Sequence, residues 1–357
     1  MDSFEYIKSL YEKPFLHAPS FRGNEKKYLN DCIDLGWVLD GPYVGKFEES
    51  VREFTGAKYS VGVSSGTAAL HLALLLAGVK PGDEVITQSL TFVATANVIS
   101  YCGAKPVFMD VDLDTLGLSP RSLKTFLESN PKRKFAACVP MHTFGHPARI
   151  DEIVEICKEF KIPVVEDSAQ GLGSIYKDRH VGTFGDMGVF SFSGNKIVTA
   201  GGMGMIITDN LGLAERAGYL SKTAKVPHKR HFIHEEVGFN YKMSNLNSAL
   251  GLAMMEYLPI ILQNKRQTAY AYKRFFKNFI DEPPYARSNF WLNAILMKDK
   301  KERDGFLTCA ENEQIECRPV WTLMTNLEMY KGCEKVSLEN SEWLEDRIVN
   351  LPSGVRW

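Results

Sequence analysis

Short β-branched runs recurring between amphipathic stretches constrain this chain more than any other feature. They are YSVGVS from Tyr59, DEVITQ from Asp83, KPVFMDV from Lys105, FAACVPM from Phe135, IPVVED from Ile162, GVFSF from Gly188 and GMIIT from Gly204. Runs of this kind alternating with amphipathic segments suit strands covered on both faces, so the pattern predicts an α/β fold with a largely parallel sheet between helices. One connecting helix is explicit: IDEIVEICKEF sets Ile150, Ile153, Val154 and Cys157 at helical spacing, with Asp151 near its start and Pro163 closing the approach to the next strand. The pattern weakens after about residue 210. A long helical segment from Asn245 to Asn264, a basic helix through Phe276, and strand-like FWLNAILM and IECRPVW then predict a smaller α+β domain. We place the division between residues 1–240, including an N-terminal arm, and residues 241–357.

Composition narrows the function. Lys plus Arg is 42 and Asp plus Glu 43, without the basic excess of a nucleic-acid binder. The longest apolar stretch, near Ala68 to Val79, contains His71 and is too short to span a bilayer. The N-terminus lacks the basic-then-apolar order of a signal peptide, and the 7 cysteines form no C-x-x-C pair, so a cytoplasmic protein with reduced thiols is expected.

In open α/β sheets ligands sit beyond the carboxyl ends of the strands, and three such places carry chemistry-bearing residues. Ser64-Ser65-Gly66-Thr67 turns a strand into an apolar helix. This is either an ordinary N-capped helix or a cradle for a phosphate. IPVVEDSAQ ends in Glu166-Asp167 with Gln170 beyond. Asp167 caps a helix or ion-pairs with a protonated heterocyclic nitrogen, and Gln170 could bond a neighbouring oxygen. In GVFSFSGNKIVTAGGMG, Lys196 is either a surface lysine or an amine whose pKa burial lowers, able to form a Schiff base. Phosphate cradle, ring-nitrogen carboxylate and reactive lysine together are the requirements of pyridoxal phosphate. The triphosphate loop G-x-x-x-x-G-K-[ST] is absent, and Gly171/Gly173 and Gly202/Gly204 lack the third glycine of the dinucleotide fingerprint, which argues against a nicotinamide oxidoreductase.

GTAALHLAL, GDEVITQSLTFVATANVI, VVEDSAQGLGSIY, GDMGVFSFSGNK and GFNYKMSNLNSALG resemble, in order and spacing, the DegT/DnrJ/EryC1/StrS family of pyridoxal-phosphate-dependent sugar aminotransferases. The likeness extends from about residue 15 to 355. It implies a fold-type I aminotransferase with a mostly parallel seven-stranded sheet and a smaller C-terminal α+β domain. It also implies a homodimer with shared active sites. By this resemblance Lys196 would carry the cofactor as a Schiff base, Asp167 would pair with the ring nitrogen, Gln170 would lie beside the ring oxygen and Phe92 would stack on the ring. Gly66, Thr67 and Ser191 would hold the phosphate, with Asn240 reaching it from the neighbouring subunit.

Within the family, HTFGHPARIDEI, SGNKIVTAGG, TAKVPH, ARSNFWLNAI and RPVWTLM are similar to the branch that aminates carbon 4 of a UDP-linked 4-keto-6-deoxy-N-acetylhexosamine, giving precursors of bacillosamine and legionaminic acid. L-glutamate is the implied donor, with pyridoxamine phosphate between two ping-pong half-reactions. Met203 interrupts a glycine run of that branch, and Met324 stands where a histidine is expected. Dehydratase relatives replace the lysine with histidine, so Lys196 favours transamination. The alternatives are an aminotransferase for a GDP- or dTDP-linked keto sugar, and a non-catalytic regulator that binds the cofactor. Three signals stay outside the assigned site. His142 and His146 flank Gly145 in a loop and are not read as a metal pair. The basic segment Lys222, Lys225, His228, Lys229, Arg230, His231 reads as a solvated loop or a lid over a diphosphate. Arg318 reads as an anion-binding group or a surface ion pair.

Overall fold

In the computed structural model, which describes residues 1–356, all seven β-branched runs become strands of one sheet. They are β1 (Tyr59–Val63), β2 (Glu84–Gln88), β3 (Lys105–Met109), β4 (Ala137–Val139) and β5 (Val165–Asp167). After a small hairpin of β6 (Ile175–Tyr176) and β7 (Arg179–His180) come β8 (Met187–Ser191) and β9 (Gly204–Thr208). Two hydrogen-bonded groups, β3-β2-β4 and β5-β8-β9-β1, meet through parallel bridges Cys138–Val164 and Met141–Asp167. The order is therefore β3-β2-β4-β5-β8-β9-β1, and β9, antiparallel to both neighbours, is the one reversed strand.

Helices α1 (Ser3–Leu10), α2 (Glu25–Asp34) and α3 (Pro42–Thr55) precede the sheet. Around it run α4 (Gly66–Leu76), α5 (Val93–Tyr101), α6 (Pro120–Ser129), α7 (Ile150–Glu159) and α8 (Leu211–Leu220). The period-two geometry of a strand sends neighbouring side chains to opposite faces. Val85, Val139 and Val165 pack with α4, α5 and α8, whereas Ile86, Cys138 and Val164 pack with α6 and α7. The α4 sequence GTAALHLALLL is apolar all round because the helix is covered on nearly every side, with eight of its residues buried.

Beyond a short hairpin of β10 (Lys225–Val226) and β11 (Ile233–His234), α9 runs unbroken from Asn245 to Phe275. The sequence reading divided this stretch into two helices; the structure joins them, with Pro259 inside and exposed. Packing overrides the proline: Gly251 lets α9 approach α3 so closely that an added Cβ would lie 2.6 Å from the Phe47 ring. The C-terminal α+β part has β12 (Ala286–Arg287) pairing with β6, and β13 (Asn293–Leu296) and β14 (Arg318–Pro319) flanking β15 (Ile348–Leu351). Its helices are α10 (Lys300–Asn312) and α11 (Glu339–Glu345). Ile7 of α1 packs here with Tyr272, Val349 and Leu351. Among the described residues no helix is long and apolar enough to cross a membrane.

Candidate active site

The carboxyl ends of β1, β5 and β8 open onto a cavity of about 830 Å³. At its β1 side the chain turns through Ser65, whose Oγ accepts from the Ala68 N–H at 3.0 Å and caps α4. Both readings of this segment therefore hold. Ser65 is the cap, while Gly66 and Thr67 line the cavity at a helix start, where backbone N–H groups have no intrahelical acceptor. A Cβ on Gly66 would stand 2.7 Å from the Ser191 Cβ, so glycine lets the end of β8 close against the cradle. Met203, in the interrupted glycine run, takes φ 72°, donates its N–H to Ser64 O at 3.1 Å and lines the same cavity. Met324 is buried with Phe108 and Tyr330, outside it.

Asp167 closes β5, and no helix follows for it to cap. Its Oδ2 accepts from Thr95 Oγ1 at 2.7 Å and its Oδ1 from the Ala169 N–H at 3.2 Å. Burial raises its pKa, opposed first by the Thr95 hydrogen bond, then by Ala169 and by Lys196. Its neighbour Glu166 points to the other face and is consumed by the scaffold. It accepts from Gly182, Phe184 and Gly185 N–H groups at 2.6–2.7 Å and from His142 Nε2 at 3.0 Å. Because His142 Nδ1 accepts from the Ala148 N–H, the ring proton is on Nε2 and both nitrogens are engaged. His146 packs edge-on to Phe290, and among the described residues no group of three His, Cys, Asp or Glu could hold a metal ion.

Gln170 lines the cavity with Oε1 accepting from the Phe144 N–H at 2.7 Å, which leaves its NH₂ as the remaining donor. Phe92 is 45% exposed and lines the cavity, its ring centroid 5.9 Å from that of Trp321 in a T-shaped pair, so it is not a core residue. Lys196, five residues beyond β8, is half-buried. Burial pushes its amine down to about 8, with the Asp167 carboxylate pulling the other way. Its Nζ lies over the Trp291 ring, 4.1 Å from the centroid. Of the residues assigned from sequence, Gly66, Thr67, Phe92, Asp167, Gln170, Ser191 and Lys196 all line this one cavity. Asn240 does not: it is exposed, on a segment bridged to Lys222.

The sequence reading missed Thr95, Trp291, Trp321 and His17, and set Arg318 aside although it lines the cavity. His17 lines it too, with both ring nitrogens shielded and without a hydrogen-bond partner among the described residues, and burial holds its pKa well below the ordinary value. Thr95 was legible as the residue one turn after Phe92. Trp291 was not, because nothing local marks a residue brought to Lys196 from 291 − 196 = 95 positions away. Helix-start amides beside serine, a buried carboxylate, an open aromatic face and a lysine of lowered pKa fit pyridoxal phosphate at its phosphate, ring nitrogen, ring face and carbonyl.

Comparison with known proteins decides the affiliation. Residues 19–356 match the sequence profile of the DegT/DnrJ/EryC1/StrS aminotransferase family. The chain belongs to this family. It is 36% identical to the GDP-perosamine synthase of Escherichia coli O157:H7, covering 95% of this chain and 92% of that one. It is also 36% identical to the GDP-perosamine synthase of Vibrio cholerae, covering 95% and 93%. Among solved structures, the aminotransferase TlmJ from Streptoalloteichus hindustanus superimposes with a TM-score of 0.88 at 28% identity, covering 96% of this chain and 93% of its own. The protein is a sugar aminotransferase, and pyridoxal phosphate is its cofactor.

Proposed function

We propose that this aminotransferase moves the amino group of L-glutamate to carbon 4 of a UDP-linked 4-keto-6-deoxy-N-acetylhexosamine, by ping-pong half-reactions in a homodimer. The carrying observation is Lys196, an amine of lowered pKa in the same cavity as Asp167, Phe92 and the α4 start. Bound pyridoxal phosphate supplies the electron sink that makes the donor's α-proton removable. Gly66, Thr67 and Ser191 would hold its phosphate, Phe92 would stack on its ring, and Gln170 would donate towards its ring oxygen. Asp167, set by Thr95 and Ala169, keeps the ring nitrogen protonated. Lys196 Nζ takes the proton from the α-carbon of the donor and, in the second half-reaction, delivers one to carbon 4 of the sugar. Asn240 of the partner subunit completes the phosphate contacts, in keeping with its place outside its own cavity.

The likeness of HTFGHPARIDEI, TAKVPH and ARSNFWLNAI to the UDP-sugar branch supports the nucleotide assignment. A second reading, a GDP-linked 4-keto-6-deoxy sugar, is favoured by the two GDP-perosamine synthases at 36% identity. The purified enzyme, given L-glutamate and each nucleotide sugar in turn, separates them. We expect kcat/KM to be at least about tenfold higher for the UDP-linked substrate, a difference of roughly 1.4 kcal/mol in transition-state binding. The reverse ratio establishes the GDP reading, and an amino sugar formed from neither removes both.

A further inference from the structure

Lys265 of α9 is completely buried, yet no carboxylate among the described residues forms an ion pair with it. Its Nζ instead donates to two backbone carbonyls, Trp291 O at 2.9 Å and Ser353 O, so it joins the C-terminal segment to the stretch that precedes β13. A buried lysine without a counter-charge is costly, and two carbonyl acceptors satisfy only two of the three donors of an ammonium.

Trp291 is fixed at three points. Lys265 holds its carbonyl, its backbone N–H donates to Asn289 Oδ1 at 2.8 Å, and its indole Nε1–H donates to Asn195 O at 2.7 Å. The last bond ends on the residue next to Lys196, whose Nζ lies over the indole face. One side chain thus grips both the backbone of the lysine loop and the amine that the loop presents.

We propose that Trp291 is a positioning residue for Lys196, holding the free amine on its indole face and the Lys196 loop through Asn195, and that Lys265 is the clamp that sets Trp291. The proposal rests on the reading of Lys196 as the reacting amine. That amine would be released from its covalent bond in the first half-reaction and would re-form it on the same atom only at the end of the second, so between the two it needs a fixed resting place. A flexible lysine chain left unrestrained would lose rotamer entropy each time it returned.

The test is peptide-resolved competitive labelling of Lys196 with trace acetic anhydride, across a pH range bracketing 8, in the full-length cofactor-free protein. The titratable groups facing this amine are the Asp167 carboxylate from β5 and His17 from the N-terminal arm, the latter also facing Lys265 of α9. An indole face favours the charged amine, so Trp291→Leu, which keeps apolar contact and removes the π face, lowers the Lys196 titration by about one pH unit. Trp291→Phe restores most of it, and Lys265→Met gives a smaller fall in the same direction. In the two Trp291 variants general loosening is recognised because it also raises the labelling of Lys265, the buried lysine of α9. An unchanged titration in Trp291→Leu, or a rise towards the ordinary lysine value, overturns the proposal. If Lys265→Met does not fold, the two Trp291 variants still decide. Labelling needs no cofactor, so failure of the transaminase reading would show separately, as a protein with no visible cofactor band.

Discussion

Lys196 and Asp167 have opposite electrostatic needs, and one cavity meets both. Burial lowers the lysine to about 8 and raises the carboxyl, so each tempers the other across the site. An amine that must be neutral to accept a proton gains activity as pH rises through its pKa. We expect the glutamate half-reaction, followed by stopped-flow absorbance, to accelerate as pH climbs through about 8. A rate independent of pH there would remove Lys196 as the base. Thr95 gives a second prediction. Thr95→Val deletes the 2.7 Å hydrogen bond to Asp167 without changing shape, and a charged acceptor that loses such a bond forfeits about 1.5–3 kcal/mol. Affinity for the cofactor, read by equilibrium dialysis, falls roughly tenfold or more. At this scale the sequence was informative for residues within a few positions of a strand end, as for Gly66, Phe92, Asp167 and Lys196, which the fold gathers around one cavity. It was silent where tertiary folding brings in a distant residue, as for Trp291 and His17.

Elements follow from period and capping with few exceptions, and the exceptions are informative. The seven strands were legible because apolar β-branched runs have few other uses, and α7 because of its 3.6 period. The continuity of α9 was not legible, since a proline argues for a break and it is tertiary packing, against α2 and α3 before Pro259 and the C-terminal part after it, that outweighs it. Because Pro259 is exposed and lacks the N–H for an internal hydrogen bond, Pro259→Ala is expected to stabilise the protein by about 1–3 kcal/mol, seen as a higher Tm. A lower Tm would mean that the two ends of α9 need the bend. At the cradle the sign reverses. Gly66→Ala drives a Cβ into Ser191, and we expect phosphate-dependent cofactor affinity to drop in dialysis while the variant still folds.

For the whole molecule, the order of strands was beyond the sequence, because register between distant strands is set by packing on both faces. What was legible was three strand ends bearing residues suited to a ligand, and the fold brings all three to one cavity. The same burial that builds this core makes it sensitive to acid. His146 and His180 are buried and held down to about 4. His146 has no hydrogen-bond partner among the described residues, while His180 is fixed neutral by accepting from the Gly173 N–H and donating to Val181 O. The unfolded chain binds these protons near 6.5, so stability is complete above that pH and is lost as pH falls towards about 4. Tm should drop across that window, and His146→Phe should flatten the drop; an equal slope in the variant would contradict this. The central claim is that Lys196 carries pyridoxal phosphate and exchanges it with an amino donor, and one measurement addresses it directly. The visible absorption spectrum of the purified protein with pyridoxal phosphate is recorded before and after addition of L-glutamate, beside Lys196→Ala. The account predicts a yellow band that bleaches with glutamate in the native protein and is absent from the variant. A band unchanged by replacing Lys196, or no band in the native protein, would contradict it.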